Sequence, residues 1–167
     1  MEISVASPQQ MPHIYNLRWR VFVEEQQVPF LLELDARDTA PDTIHVAATH
    51  HGQVVGTARI LDTATLADTA NPLGPKTGTL HIGRVAVDKA WRGQGVGRKL
   101  MEGAHRIIQG KLGAEGSAAV AQVRLDAQVQ AQDFYASLGY RVLDGHQFMD
   151  AGIAHVEMEL VLSAENQ

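Results

Sequence analysis

Apolar and polar positions change period several times along the chain, and each change marks an element. The opening "EISVA" alternates like a short strand. Ser7 follows as a helix N-cap, with Pro8 at the first helical position and Gln10 completing a capping-box pattern. Ile14, Leu17, Arg18, Val21 and Phe22 then fall at helical spacing, and their helix must end ahead of Pro29, which cannot continue it. "IHVAATHHGQVVGTARIL" reads as two strands about a turn at His51-Gly52. From Asp62 to Gly78 the chain is rich in Thr, Ala, Pro and Gly without apolar period, which predicts a surface loop.

The second half repeats the alternation. "TLHIGRVAVD" predicts a strand, and "GVGRKLMEGAHRIIQ" a helix with Val96, Leu100, Ala104, Ile107 and Ile108 on one face. "SAAVAQVRLDA" has enough small and apolar residues for a strand buried on both faces. "AQDFYASLGY" predicts a short helix that turns Ala131, Phe134, Tyr135 and Leu138 inward and stops at Gly139. "YRVLDG" and "AHVEMELVL" supply two closing strands, and "SAENQ" is a polar tail expected to fray. Strand-helix-strand order in the middle implies a parallel pair with a right-handed crossover, while the hairpins imply antiparallel neighbours. The sheet is therefore mixed. No repeat or linker divides the chain, so a single domain over residues 1–167 is expected.

Composition narrows the function classes. A chain of 167 residues, 45% hydrophobic and 20% charged, is globular rather than disordered. It has no cysteine, which removes disulfides, thiolate zinc sites and cysteine nucleophiles and fits a reducing compartment. The N-terminus lacks a basic region followed by an apolar core, and no apolar run approaches the roughly 20 residues of a membrane helix. A soluble, cytoplasmic protein with no membrane partner is expected. Net charge of -5 argues against general nucleic-acid binding. Yet Arg84, Lys89, Arg92, Arg98, Lys99, Arg106 and Lys111 lie in one stretch opposed only by Asp88 and Glu102. Such a patch suits a small anionic ligand, or else is a solvated helix face.

Inside that stretch Gly93, Gly95 and Gly97 alternate at a strand-to-helix turn. Glycines there leave backbone N–H groups uncovered, where the first N–H groups of a helix lack internal partners and its dipole is positive. That is an anion cradle suited to phosphate, flanked by Arg92 and Arg98. It is neither the dinucleotide fingerprint, because Arg98 takes the place of the last glycine, nor a Walker loop, because "GVGRKL" breaks the order. A tight connection with no ligand is the other reading of the same glycines.

"VAVDKAWRGQGVGRKLM" resembles the acyl-CoA-binding motif of the GNAT superfamily of N-acetyltransferases, Arg/Gln-x-x-Gly-x-Gly/Ala, which Arg92, Gly95 and Gly97 fill. "LDAQVQAQDFYASLGYRV" resembles the superfamily's second region, a strand and then a helix with Phe-Tyr ending in Gly-Tyr/Phe. "RVFVEEQQVPFLLELD" and "FMDAGIAHVEMEL" are similar to a bacterial subgroup within it. The resemblance implies a GNAT-type α+β fold: a mixed, mostly antiparallel sheet of six to seven strands with a parallel central pair, flanked by about four helices. It implies acetyl transfer from acetyl-CoA to a primary amine of a small molecule or peptide, by direct attack in a ternary complex. A homodimer is the assembly it suggests.

By that resemblance, the backbone of Val85, Ala86 and Val87 meets the pantetheine arm, and Arg92, Gly93, Gln94, Gly95, Val96, Gly97 and Arg98 hold the diphosphate. A backbone N–H of the strand would polarise the thioester carbonyl. Tyr135 matches the tyrosine that protonates the departing thiolate, since a phenol keeps its proton at neutral pH. Relatives carry a glutamate base at the position of Gly83, so the proton acceptor must lie elsewhere: Glu24, Glu25, His81, Asp126, His155 or a water chain. The segment "LRWRVFVEEQQVPFLLELD" would line the acceptor pocket through Trp19, Arg20, Phe22 and Glu25, with Glu25 and His155 as acceptor-binding residues. Phe22 and Val21 also fit a core role. The eight histidines show no metal-ligand spacing, and His50 and His51, adjacent in a turn, are not expected to face one site together. No metal is expected.

Two other functions share these residues. "RWRVFVEEQ", "ELDARD" and "VVGTARIL" are similar to the N-terminal half of acyl-homoserine-lactone synthases, although the chain is short and shows no broad basic face for a carrier protein. A non-catalytic acyl-CoA-binding module is the third reading, favoured by the missing glutamate.

Overall fold

The capping box forms where its spacing predicts, with the Ser7 N–H donating to Gln10 Oε1 at 2.8 Å. The computed structural model describes residues 1–62, 78–114 and 120–163. A single 3-10 turn, Pro8–Gln10, leads into helix α1 (Met11–Arg18), which continues as a π-helical stretch, Trp19–Glu25. Helix α2 is the single turn Phe30–Glu33, starting just after Pro29. Helices α3 (Val96–Ala114) and α4 (Gln132–Ala136) follow the two later motifs.

Seven strands form one sheet in the order β1-β2-β3-β4-β5-β7-β6. They are β1 (Glu2–Val5), β2 (Ile44–His50), β3 (Gln53–Asp62), β4 (Gly78–Val87), β5 (Val120–Gln128), β6 (Arg141–Asp150) and β7 (Ile153–Ser163). β2 and β3 are antiparallel, as are β5 with β7 and β6 with β7. β4 and β5 are the parallel pair, in register from Gly78↔Ala121 to His81↔Arg124. This is the mixed, mostly antiparallel α+β architecture that the resemblance implies, and its parallel pair is the one that the element order predicts. The β2–β3 turn places both His51 (φ 48) and Gly52 (φ 79) in the left-handed region. That is the primed geometry a two-residue hairpin requires.

The chain packs as two compact units, Met1–Leu61 with Gly83–Ile107, and Asp62–Ile82 with Ile108–Gln167. In the first, Ile14, Leu17 and Val21 pack with Ala47, Val54 and Ala86. Helix α3 buries Val96, Leu100 and Ala104 as its period predicts, and Met101 besides. It also lies close against β1, because a Cβ on Gly103 would fall 2.2 Å from Ile3 Cγ2. Only glycine fits there.

In the second unit, Ala121, Val123, Leu125 and Ala127 of β5 are buried with Val156 and Met158 of β7. The expectation that β5 is buried on both faces is not met: Arg124 and Asp126 occupy its other face, half-buried and exposed. A row of ionisable side chains keeps that face toward water, because charge is costly to bury unpaired. Phe134 and Tyr135 of α4, and Leu138 in the turn after it, are only half-buried, and Gly139 (φ 94) ends the segment as expected. The predicted loop from Asp62 to Gly78 lies outside the described residues except at its ends, which belong to β3 and β4. The polar tail after Ser163 lies outside them too.

Candidate active site

In the first unit, β4 leads through one 3-10 turn, Lys89–Trp91, into the glycine turn. Asp88 caps that step, accepting from the Ala90 N–H at 3.0 Å, and is itself held by Arg20 Nη1 at 2.8 Å. Gly93 (φ 74) and Gly95 (φ 76) both adopt left-handed backbone, and a Cβ on either would meet nothing within 4 Å. Glycine is thus required by the backbone path, while the side on which a side chain would stand is open. Residues 92–95 are all exposed. The first helical bond of α3 runs from the Lys99 N–H to the Gly95 carbonyl at 3.1 Å, so the N–H groups ahead of it lie outside the helix's own ladder. Open space, donor groups and a positive helix end coincide there, which fits the phosphate cradle the glycine spacing suggests.

Arg92 does not stand free beside the cradle. Its Nε donates to the Val87 carbonyl at 3.0 Å, and its Nη1 and Nη2 donate to Glu25 Oε2 and Oε1 at 2.7 and 3.1 Å. Two expected site residues, one for cofactor and one for acceptor, are therefore joined in a fork. The Val87 carbonyl already has a donor. Ala86 is buried in the core, whereas Val85 and Val87 are half-buried. Of the acceptor-pocket segment, Val21 is buried and Phe22 packs against the core, whereas Trp19 is exposed, with its Nε1 donating to Glu24 Oε1 at 3.2 Å.

The basic patch is only partly a patch. Arg98 pairs with Glu102 at 3.7 Å on α3, and Arg84 turns toward acidic partners. Its backbone is left-handed (φ 53), a conformation that costs a non-glycine residue on the order of 1–3 kcal/mol. Its guanidinium donates to the carbonyls of Leu32 and Glu33 at 2.9 and 3.1 Å, and Nε meets Glu33 Oε2 at 3.0 Å. Those bonds offset the strain. Glu33 also pairs with buried Arg18, whose Nη1 reaches Asp38 Oδ1 at 2.7 Å. Arg59 Nη1 bridges Asp35 and Asp38, at 2.8 Å to each. Three guanidinium groups and three carboxylates thus form one hub, in which Arg18, Arg59, Glu33 and Asp38 are buried, Arg84 is half-buried and Asp35 is exposed. Arg18 and Arg59 hold the Asp38 carboxyl at about 2 despite its burial, whereas burial raises the pKa of Glu33.

Sequence reasoning missed this hub. Arg18 sits in the apolar row of α1 because its charge is cancelled inside, and the available signal was the acid-rich "ELDARD" facing lone arginines on other elements.

In the second unit, burial pushes the Tyr135 hydroxyl up to about 12. Its ring lies edge-on to Phe134 and to buried Tyr140, with centroids at 5.0 and 6.0 Å. Three of the expected proton acceptors also lie in this unit. His81 Nε2 of β4 is 3.5 Å from Asp126 Oδ2 of β5. His155 of β7 is buried, stacks on Phe148 at 5.8 Å, and its Nδ1 is 2.8 Å from the Ile153 carbonyl. The hydrogen bond from His81 holds the Asp126 carboxyl below its ordinary range, helped by the charges of His81 and His155.

The rings of His50 and His51 meet edge to face at 4.2 Å, and His50 lies on Trp91 at 4.6 Å. The left-handed turn at His51 brings them together. Among the described residues no group of three or more His, Asp or Glu is placed to hold a metal. No helix among them is long and apolar enough to cross a membrane.

Comparison with known proteins bears on the family and the fold. The profile described as an acetyltransferase (GNAT) domain matches residues 4–162. A Bacillus subtilis protein named as an acetyltransferase is 32% identical over 155 residues, covering 92% of this chain and 91% of its own. The crystal structure of an acyl-CoA N-acyltransferase from Pseudomonas aeruginosa superposes with TM-score 0.70 at 28% identity, covering 95% of this chain and 96% of that one. Escherichia coli ElaA superposes with the same TM-score at 27% identity and the same coverage.

Proposed function

Since the chain belongs to the GNAT acetyltransferase family, whose members transfer acyl groups from acyl-CoA, we propose that it is an N-acetyltransferase. It moves acetyl from acetyl-CoA to a primary amine of a small molecule or peptide by direct attack in a ternary complex. The observation that carries the cofactor half is the glycine turn: Gly93 and Gly95 are left-handed and face open space at the N-terminus of α3. A diphosphate needs that combination of bare amides and positive dipole. In this reading Gly93 to Arg98 hold the diphosphate, and Val85 to Val87 meet the pantetheine arm. Arg92 must choose between the phosphates and Glu25.

Tyr135 serves as the general acid. A hydroxyl raised to about 12 keeps its proton across the neutral range and can give it to a departing thiolate, which is otherwise a poor competitor at the tetrahedral stage. Glu25 and His155 are the acceptor-side residues. The reaction needs no metal, because backbone N–H groups can stabilise the oxyanion. A cytoplasmic location fits both the absence of cysteine and the supply of acetyl-CoA.

Incubating the full chain with acetyl-CoA and a panel of primary amines, with free thiol and acetylated product followed together, tests the reading. Thiol release that depends on amine and yields the amide supports it. Binding of acetyl-CoA with no transfer to any amine supports the non-catalytic module instead.

A further inference from the structure

Helix α2 is built inside out. It is a single turn, too short to be stable alone in water, and its only buried side chain is a carboxylate. Glu33 is 3% exposed, whereas Trp19, Phe30, Leu31, Leu32 and Leu34 are 41% to 75% exposed. A turn placed by the hydrophobic effect shows the opposite, with leucines inward and the glutamate in water. We propose that this face seats the apolar body of the acceptor, and that the acceptor is a primary amine carried on an aromatic or branched-alkyl group. This deepens the acetyl-transfer reading and rests on it for the amine.

The exposure is held in place. Arg18 pairs with the Glu33 carboxylate, and its Nη2 donates to the Glu33 carbonyl at 2.7 Å. From β4, Arg84 Nε meets Glu33 Oε2 at 3.0 Å, and Arg84 Nη2 donates to the Leu32 carbonyl at 2.9 Å. A buried carboxylate is costly unless it is paired. Two arginines are thus committed to a position of α2 that leaves its apolar residues in water. The ring of Phe30 lies beside that of Trp19, with centroids at 6.3 Å, so the turn and the π-helical stretch share one aromatic wall. Exposed apolar surface on a tethered turn marks a binding site.

The charges beside the wall select the occupant. From Val21 to Leu34 the chain carries Glu24, Glu25 and Glu33 and neither lysine nor arginine. Glu24 Oε1 accepts from Trp19 Nε1 at 3.2 Å, which sets a carboxylate against the wall. That carboxylate can accept further donors, and an ammonium supplies three. An anionic ligand or an anionic lipid surface finds no cationic side chain in this segment. A sugar or a polyamine would lay polar atoms on the leucines and gain little from them. The complementary molecule is apolar with one positive end. All of these residues belong to the first compact unit.

The test uses the full chain and three probes. They are 2-phenylethylamine, ethanolamine, which keeps the ammonium without the ring, and 2-phenylethanol, which keeps the ring without the ammonium. Calorimetry is run with and without coenzyme A. 2-Phenylethylamine should bind at least about tenfold more tightly than either of the others. Phe30→Ser and Leu34→Ser, both at exposed positions, should weaken 2-phenylethylamine about tenfold, leave ethanolamine within about twofold, and melt where the wild type does. In turnover with acetyl-CoA the loss should fall on KM, with kcat kept.

Ethanolamine bound or acetylated as well as 2-phenylethylamine overturns the proposal and leaves the transferase reading intact. Equal affinity for 2-phenylethylamine in the wild type and the two variants overturns it as well. So does a wild type that sediments as a dimer and becomes a monomer in Leu31→Ser, because the face then belongs to a second copy. Tight binding of 2-phenylethylamine without acetylation supports the apolar seat and counts against the transferase reading. Binding of none of the three, in either condition, overturns the proposal.

Discussion

Arg92 and Glu25 form a two-pronged pair, Nη1 to Oε2 at 2.7 Å and Nη2 to Oε1 at 3.1 Å, across 67 residues of sequence. The pair links the stretch after α1 to the edge of the glycine turn. Both side chains remain partly exposed, so it adds little to stability. Its consequence is for ligand binding, because a diphosphate would compete with Glu25 for the same guanidinium. Arg92→Ala is expected to raise the Kd for acetyl-CoA about tenfold, a loss of about 1.4 kcal/mol, with little change in Tm. Glu25→Gln should leave that Kd unchanged or lower. Titration calorimetry with thermal melts checks both.

The centre of the ionic hub behaves differently because Arg18, Asp38 and Arg59 are buried. Asp38 serves both Arg18 and Arg59, so Asp38→Ala leaves two guanidinium groups short of a partner. The expected cost is about 3–5 kcal/mol in urea unfolding. The hub also sets a pH dependence. The Asp38 carboxyl is held at about 2 in the folded chain against an ordinary 3.8, so its contribution is complete above pH 3.8 and disappears as pH falls toward 2. Roughly 2 kcal/mol should be lost across that window, and Asp38→Asn should flatten it.

His105 predicts a separate acid effect. Buried on α3, its imidazole is pushed down to about 4 from 6.5. The unfolded chain therefore takes up a proton at a higher pH than the folded one, and stability present above pH 6.5 is lost as pH falls toward 4. Urea midpoints taken across that range should decline in the wild type and decline less in His105→Gln. Equal slopes in the two proteins would contradict the assignment.

Tyr135→Phe removes only a hydroxyl from a half-buried ring. Turnover should fall while acetyl-CoA affinity stays within a few fold. Because that hydroxyl titrates at about 12, the wild type should show no alkaline limb from it at neutral or mildly alkaline pH. Steady-state kinetics against pH measures both.

The β2–β3 hairpin, the capping box at Ser7 and the glycine turn were legible because each is fixed by neighbours a few residues apart. Gly52 and Gly95 announce left-handed backbone on their own. Arg18 was legible as part of a face but not as a charge, because its partners Glu33 and Asp38 lie 15 and 20 residues away. The polar face of β5 was missed for a related reason. Arg124 and Asp126 alternate with apolar residues, but their partners are on β4 and β7. The pairing of His81 with Asp126 depends on a parallel register that no local pattern encodes.

Calorimetry of acetyl-CoA binding to the wild type and to Gly95→Glu is the most direct test of the cradle. A side chain at Gly95 enters open space from a left-handed backbone, so it strains the turn and sets a carboxylate where phosphate would lie. The wild type should bind acetyl-CoA, and Gly95→Glu, with an unchanged circular dichroism spectrum, should show no binding. Equal affinity in the two proteins would contradict the placement of the cofactor on the glycine turn.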